Sequence, residues 1–423
     1  MQYKKTTLPN GVRIITVPMK GSPAVTVLVM TETGSNYEEK RENGLSHFLE
    51  HMVFKGTPKR PTSAIVHRDL DSLGAQSNAF TNTEFTGYYV KGAKHTWKKS
   101  LDILSDLYLN PILPEADLEN ERGVILQEIS MYEDLPQMHV WDILGELMYG
   151  DTPAGRSIAG TRENVKNFSQ KDFMEYRNKH YTAGKTIVII AGDVEAGDVK
   201  KEAEKYFKSM VKGKSLGKDR VKEVQKAPAY KVLEKKTDQM HLAFGFRSYG
   251  ARDKRGPALT MLAVILGSGF SSRLFEKLRD QMGVCYYVRA QSDRSTDHGV
   301  FAISTGIDPK RYEEVIKAIL DECTRLKEEL VSEEEMKRMK DYVIGNMYLG
   351  LETSDALAEF AGFQEIIEGE IKSPKEREKA LRAVTARDIQ KIAREIFTND
   401  RLNLAIVGDI SDSKPLKKVL IFK

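Results

Sequence analysis

The strongest constraint on this chain is a pattern that it contains twice. Phe168-Ser169-Gln170-Lys171-Asp172-Phe173 and Val384-Thr385-Ala386-Arg387-Asp388-Ile389 run in the same order, 216 positions apart. At the same offset, with no gap, Thr182 meets Thr398, and Ile190-Ala191-Gly192-Asp193-Val194 meets Ile406-Val407-Gly408-Asp409-Ile410. Gly-Asp strand exits are common turns taken singly. Two helix-then-strand endings in register argue instead for a duplicated domain. A length of 423 residues suits two or more domains. Both halves mix strands and helices in blocks, which predicts an α+β fold rather than a βαβ series. The expectation is two homologous α/β-sandwich-type domains, each a mostly antiparallel sheet packed with helices. The first covers residues 1–211 and the second 229–423. Between them, 212–228 opens with the polar, basic run Lys212-Gly213-Lys214-Ser215-Leu216-Gly217-Lys218-Asp219-Arg220 and reads as a linker.

Within the first half, Val12–Val17 and Ala24–Met30 read as strands, and Asn78–Val90, rich in Thr and aromatics, reads as extended. Between them lies Leu45-Ser46-His47-Phe48-Leu49-Glu50-His51-Met52. Leu45, Phe48, Leu49 and Met52 fall at i, i+3, i+4 and i+7, the apolar stripe of an amphipathic helix. At about 100° per residue, His47, Glu50 and His51 then share the opposite face. Two imidazoles at i, i+4 can grip one divalent ion with a carboxylate beside them, and H-x-x-E-H is the inverted zinc-peptidase spelling. The 216 offset lays this helix over Leu262–Gly267, which has no ligating side chain. The second copy is therefore expected to be metal-free.

A catalytic zinc site needs three protein ligands and one open position. The helical run Leu118–Ile129 is the best source of the third. Leu118, Val124, Ile125 and Tyr132 are expected on one face, with Glu121 and Glu128 on that same face two turns apart. Carboxylates on an apolar face are costly unless paired or bound to a metal.

Composition excludes several alternatives. With 65 basic and 61 acidic residues the charges nearly cancel, so nothing points to nucleic acid or to a membrane surface. No stretch approaches the roughly 18 apolar residues of a spanning helix. Cys285 and Cys323, the only cysteines, lack metal-type spacing and read as buried thiols of a reducing, cytoplasmic setting.

On His47-Phe48-Leu49-Glu50-His51-Met52 and Glu121-Arg122-Gly123-Val124-Ile125-Leu126-Gln127-Glu128, the chain resembles the pitrilysin-type zinc peptidases. Within them it is similar to the short-chain group that includes the mitochondrial processing peptidase β subunit. The resemblance implies a zinc endopeptidase with one Zn²⁺ per chain, held by His47, His51 and Glu128. Glu50 would be the general base, and Glu121 would orient a ligand histidine. Ser77-Asn78-Ala79-Phe80-Thr81 resembles the family's substrate-holding edge strand, which implicates Asn78 and Ala79. Arg279 and Tyr286 resemble its Arg/Tyr pair, thought to hold substrate and stabilise the oxyanion. At the positions where processing peptidases place two acids to select an arginine, this chain has Met138 and Asp142, so strict arginine dependence is not implied. Long relatives close four such domains around a chamber. Two here imply a homodimer, or a heterodimer with a homologous chain, acting on extended peptides. A non-catalytic scaffold or partner subunit is the competing expectation.

Overall fold

The computed structural model describes residues 2–213, 217–410 and 416–422; residues 214–216 of the expected linker lie outside them. Its strands are β1 (Lys4–Thr7), β2 (Arg13–Pro18), β3 (Ala24–Thr31), β4 (Gln76–Thr81), β5 (Thr86–Ala93), β6 (Thr186–Gly192), β7 (Ala229–Glu234), β8 (Met240–Ser248), β9 (Cys285–Arg294), β10 (Gly299–Ile307) and β11 (Leu402–Gly408). They form a six-stranded sheet, β1-β2-β6-β3-β5-β4, and a five-stranded sheet, β7-β11-β8-β10-β9. Among the described residues only β2/β6 and β7/β11 pair in parallel, and every other neighbour is antiparallel. The fold is α+β, as expected.

Removing β1 leaves the same strand order in both sheets. β2, β3 and β6 begin at Arg13, Ala24 and Thr186, and β7, β8 and β11 begin at Ala229, Met240 and Leu402, each 216 residues on. Helices Gln170–His180 and Ala386–Ile396 obey the same offset. Both open with a reciprocal cap, Ser169 with Asp172 and Thr385 with Asp388, which satisfies helix-end N–H groups by the same chemistry. Cys285 and Cys323 are both buried and free.

Every residue of β6 is buried, and nearly every one of β3. A strand with that pattern must be covered on both faces. On one face of the first sheet, Ile14, Val25, Val27, Val29, Val188 and Ile190 meet Leu45, Phe48, Leu49 and Met52 of helix Leu45–Val53 and Leu101, Leu104 and Leu107 of helix Trp97–Leu109. On the other, Ile15, Val17, Leu28, Met30, Ile187 and Ile189 meet Ala358 and Ala361 of helix Ser354–Phe363. The approach is close: a Cβ on Gly362 would lie 2.4 Å from Met30 Sδ.

The second sheet repeats the arrangement. Leu242, Phe244, Leu404 and Ile406 face helices Gly256–Gly267 and Ala386–Ile396, while Ala243, Ala405 and Val407 face Val140, Ile143, Leu144 and Met148 of helix Pro136–Tyr149. The chain accordingly forms two compact units that each draw on distant sequence. One comprises Met1–Ile129, Arg156–Asp219 and Tyr348–Ser373, and the other Ser130–Gly155, Arg220–Met347 and Pro374–Lys423. Among the described residues no helix is long and apolar enough to cross a membrane.

Candidate metal centre

Helix Leu45–Val53 carries the site because its sequence divides it cleanly. Leu45, Phe48, Leu49 and Met52 are all within 2% of full burial, which turns His47, Glu50 and His51 to the opposite side. Gly44 precedes the helix at φ 104°, a conformation that favours glycine, and a Cβ there would lie 2.9 Å from Ala159 O. It has no capping side chain of its own. Instead Glu38 accepts from Gly44 N–H at 2.8 Å, Ser46 N–H at 2.7 Å and Asn43 Nδ2 at 3.2 Å. Burial pushes the Glu38 carboxyl up, and these donors oppose it. A remote carboxylate thus sits at the positive end of the helix, where negative charge is favoured. Ser46 Oγ also hydrogen-bonds Tyr176 Oη at 2.7 Å, tying the first turn to helix Gln170–His180. Past the other end, buried Arg60 donates to Asp69 (2.9 Å), Asp102 (2.8 Å) and Asp106 (2.6 Å). The first turn of the helix is thus tied down directly, and the chain beyond its last turn is anchored at Arg60.

Glu121 and Glu128 come from helix Glu115–Asp134. Its buried residues are Leu118, Ile125 and Ile129. Val124 was expected among them but is 49% exposed. At about 100° per residue it falls well off the 118/125/129 line, and Glu121 and Glu128 fall between, on the flank. That flank places both carboxylates at the rim of the core, half-sheltered, where they reach the histidines.

The ligand atoms of His47, His51 and Glu128 all lie within 4.8 Å of one another. His47 Nε2 and His51 Nε2 stand 3.6 and 3.7 Å from the same Glu128 Oε2. Those separations exceed a hydrogen bond and approach the roughly 3.4 Å expected between two ligands of one tetrahedral ion with bonds of about 2.0–2.1 Å. Burial, then charge on His51, pushes His47 down to about 4, so its imidazole is neutral and able to ligate at neutral pH. Two imidazoles and one carboxylate are a donor set that suits catalytic zinc. The residues fit the ion.

Around this cluster, His51 Nδ1 lies 2.9 Å from Glu121 Oε1. In the tautomer that leaves Nε2 free for a metal, Nδ1–H donates to that carboxylate. Glu121 also pairs with Lys55. Burial would raise the Glu121 carboxyl, but Lys55 and His51 together hold it below its ordinary value and therefore ionised. Glu121→Gln is expected to weaken zinc binding about 10- to 100-fold in chelator competition, because the histidine loses its charged partner. Glu50 stands outside the cluster. Burial raises its carboxyl, opposed by a hydrogen bond in which Thr81 Oγ1 donates to Oε2 at 2.6 Å.

Asn78 and Ala79 lie on β4, which among the described residues is the outermost strand of its sheet and pairs only with β5. Asn78 is exposed, and its Oδ1 accepts from Ala79 N–H at 2.9 Å. Arg279 and Tyr286 belong to the second unit. Arg279 rides on the π-helical segment Phe275–Gln281, donates to Cys285 O at 2.9 Å, and sits over the Tyr286 ring at 5.0 Å. Tyr286, at the start of β9, is 74% exposed and so is no core aromatic. Met138 and Asp142 lie on helix Pro136–Tyr149 of that unit. Lys55, Glu38 and the Thr81 hydroxyl join the site beyond the residues expected from the sequence. Lys55, four residues after His51, could have been found by helical spacing; Glu38, acting on a helix from outside it, offered no periodic signal.

Residues 13–162 match the family described as insulinase (peptidase family M16), and residues 167–343 match the peptidase M16 inactive domain. An uncharacterized zinc protease of Bacillus subtilis (strain 168), YmxG, is 32% identical over 399 residues, 94% of this chain and 96% of its own. Another, from Rickettsia felis, is 32% identical over 407 residues, 96% of this chain and 97% of its own. Among solved structures, a protease from Helicobacter pylori is similar at a TM-score of 0.90 and 22% identity, covering 96% of this chain and 99% of that one. The peptidase M16 inactive domain from Pseudomonas fluorescens gives 0.90 at 16% identity, covering 98% and 100%. At those identities the two structures speak for the fold alone.

Proposed function

We propose, on the premise that this chain belongs to the insulinase (M16) peptidase family, that it is a zinc-dependent endopeptidase acting on extended peptides. The observation that carries the reading is the convergence of His47, His51 and Glu128 from two helices, with Glu50 beside them and outside the ligand set. Zinc bound by those three supplies Lewis acidity towards a carbonyl and lowers the pKa of water. Glu50, a sheltered carboxylate, takes the proton of the attacking water and returns it to the leaving amine. Glu121 keeps the His51 tautomer and ring orientation. The free edge of β4 at Asn78 and Ala79 accepts the substrate as an added strand, which holds peptide main chain without demanding a sequence. Arg279 and Tyr286 offer a cation and a phenol to a peptide carbonyl.

The competing reading is a non-catalytic partner subunit. It is favoured only by the match of residues 167–343 to an inactive domain, and that segment excludes every residue of the metal cluster. Purified protein is expected to hold about one zinc per chain by elemental analysis and to cleave a quenched peptide. A chelator should abolish cleavage, and added zinc should restore it. Undiminished cleavage by metal-free protein would overturn the reading. A fully loaded protein inert towards a peptide library would favour the partner subunit.

A further inference from the structure

Glu50 is not held by packing alone. Thr81 Oγ1 donates to Glu50 Oε2 at 2.6 Å, and Thr81 is the last residue of β4, opposite Thr86 of β5. Side chains alternate along a strand. Phe80 leans away, onto Phe85 and Phe363 at ring separations of 6.1 and 5.7 Å. Ala79 packs against the core that holds helix Leu45–Val53, and Thr81, two residues on, shares its face. The hydroxyl is thereby delivered to the only carboxylate of that helix, Glu50, which is not a candidate ligand.

We propose that Thr81 is a positioning residue for Glu50, which makes β4 both the strand that receives the peptide and the strand that holds the base. The inference rests on the reading of Glu50 as general base. An ionised carboxylate only accepts hydrogen bonds, so a donor on one oxygen restrains its orientation and leaves the other oxygen for the proton that it must take. A peptide added along the edge of β4 and the carboxylate anchored by its last side chain then share one frame. Their relative placement does not depend on any loop. Misplacement of a reacting group by about 1 Å costs on the order of 100-fold in rate. A threonine that served only the strand would act on peptide binding or on folding.

The test compares Thr81→Val, which keeps shape but not the donor, with Thr81→Ser, which keeps the donor. Zinc-loaded Thr81→Val is expected to lose about 10- to 100-fold in kcat on a quenched peptide, with KM, zinc content and Tm close to wild type. Thr81→Ser should recover to within a few-fold of wild type. The proposal is overturned if Thr81→Val keeps wild-type kcat, if both variants are equally impaired, or if the loss lies in KM or Tm. A wild-type protein that cleaves peptide while Glu50→Gln cleaves it equally well overturns the general-base reading itself, and the Thr81 proposal with it. The two failures are therefore distinguishable.

Discussion

Glu50→Gln is expected to lower kcat about 1,000-fold while the protein still binds one zinc per chain, since general acid–base catalysis contributes roughly 10²- to 10⁴-fold. The substitution is nearly isosteric, and Glu50 stands outside the group of atoms formed by His47, His51 and Glu128, so the ligands lose nothing. The amide oxygen can still accept from Thr81, which preserves the orientation seen at 2.6 Å. What disappears is the capacity to take a proton. Elemental analysis and peptide cleavage, measured on the same preparation, separate the two contributions. A zinc-loaded Glu50→Gln protein that cleaved within threefold of wild type would exclude Glu50 as the base.

Glu128→Gln is expected to act earlier, on the metal. Zinc held by four ligands in small peptides is bound by about 10–16 kcal/mol, so each ligand is worth roughly 2.5–4 kcal/mol, or about 60- to 900-fold in affinity. A neutral amide also leaves the ion without the one charge in its donor set. Chelator competition should show that loss, and cleavage should fall in proportion to the zinc lost and recover partly at high zinc. In the presence of chelator, Tm should match wild type, because Glu128 sits on the flank of its helix and not in the apolar core. A lowered Tm in metal-free protein would indicate a folding role instead.

Different parts of this molecule were legible in the sequence to different degrees. Helix Leu45–Val53 could be read because its apolar stripe and its ligands obey one period, and both are local. The duplication could be read because an ungapped offset survives wherever a helix and a strand are both retained. The strand order could not. β6 lies between β2 and β3 although it is more than 150 residues away in sequence, and hydrophobic runs announce burial without naming a neighbour. Helices Pro136–Tyr149 and Ser354–Phe363 show apolar faces but not which sheet those faces cover. At Glu115–Asp134 the apolar pattern admits Val124 on the buried side, because one turn of a helix tolerates a wide apolar arc and only the packed partner decides its centre. Glu38 and Thr81 escaped for a common reason: each acts on helix Leu45–Val53 through a single hydrogen-bonded group from another segment.

Helix Ser354–Phe363 covers one face of the sheet that β6 completes at Gly192. During synthesis, every candidate ligand and the whole of that sheet leave the ribosome long before the helix that seals it. At about 5–20 residues per second the interval is roughly 8–34 s. Throughout it, Ile15, Val17, Leu28, Met30, Ile187 and Ile189 remain a bare apolar surface on a nascent chain. Transiently exposed apolar surface of that kind is prone to aggregate. A transcript cut short before residue 354 should yield a product that aggregates rather than a smaller active enzyme.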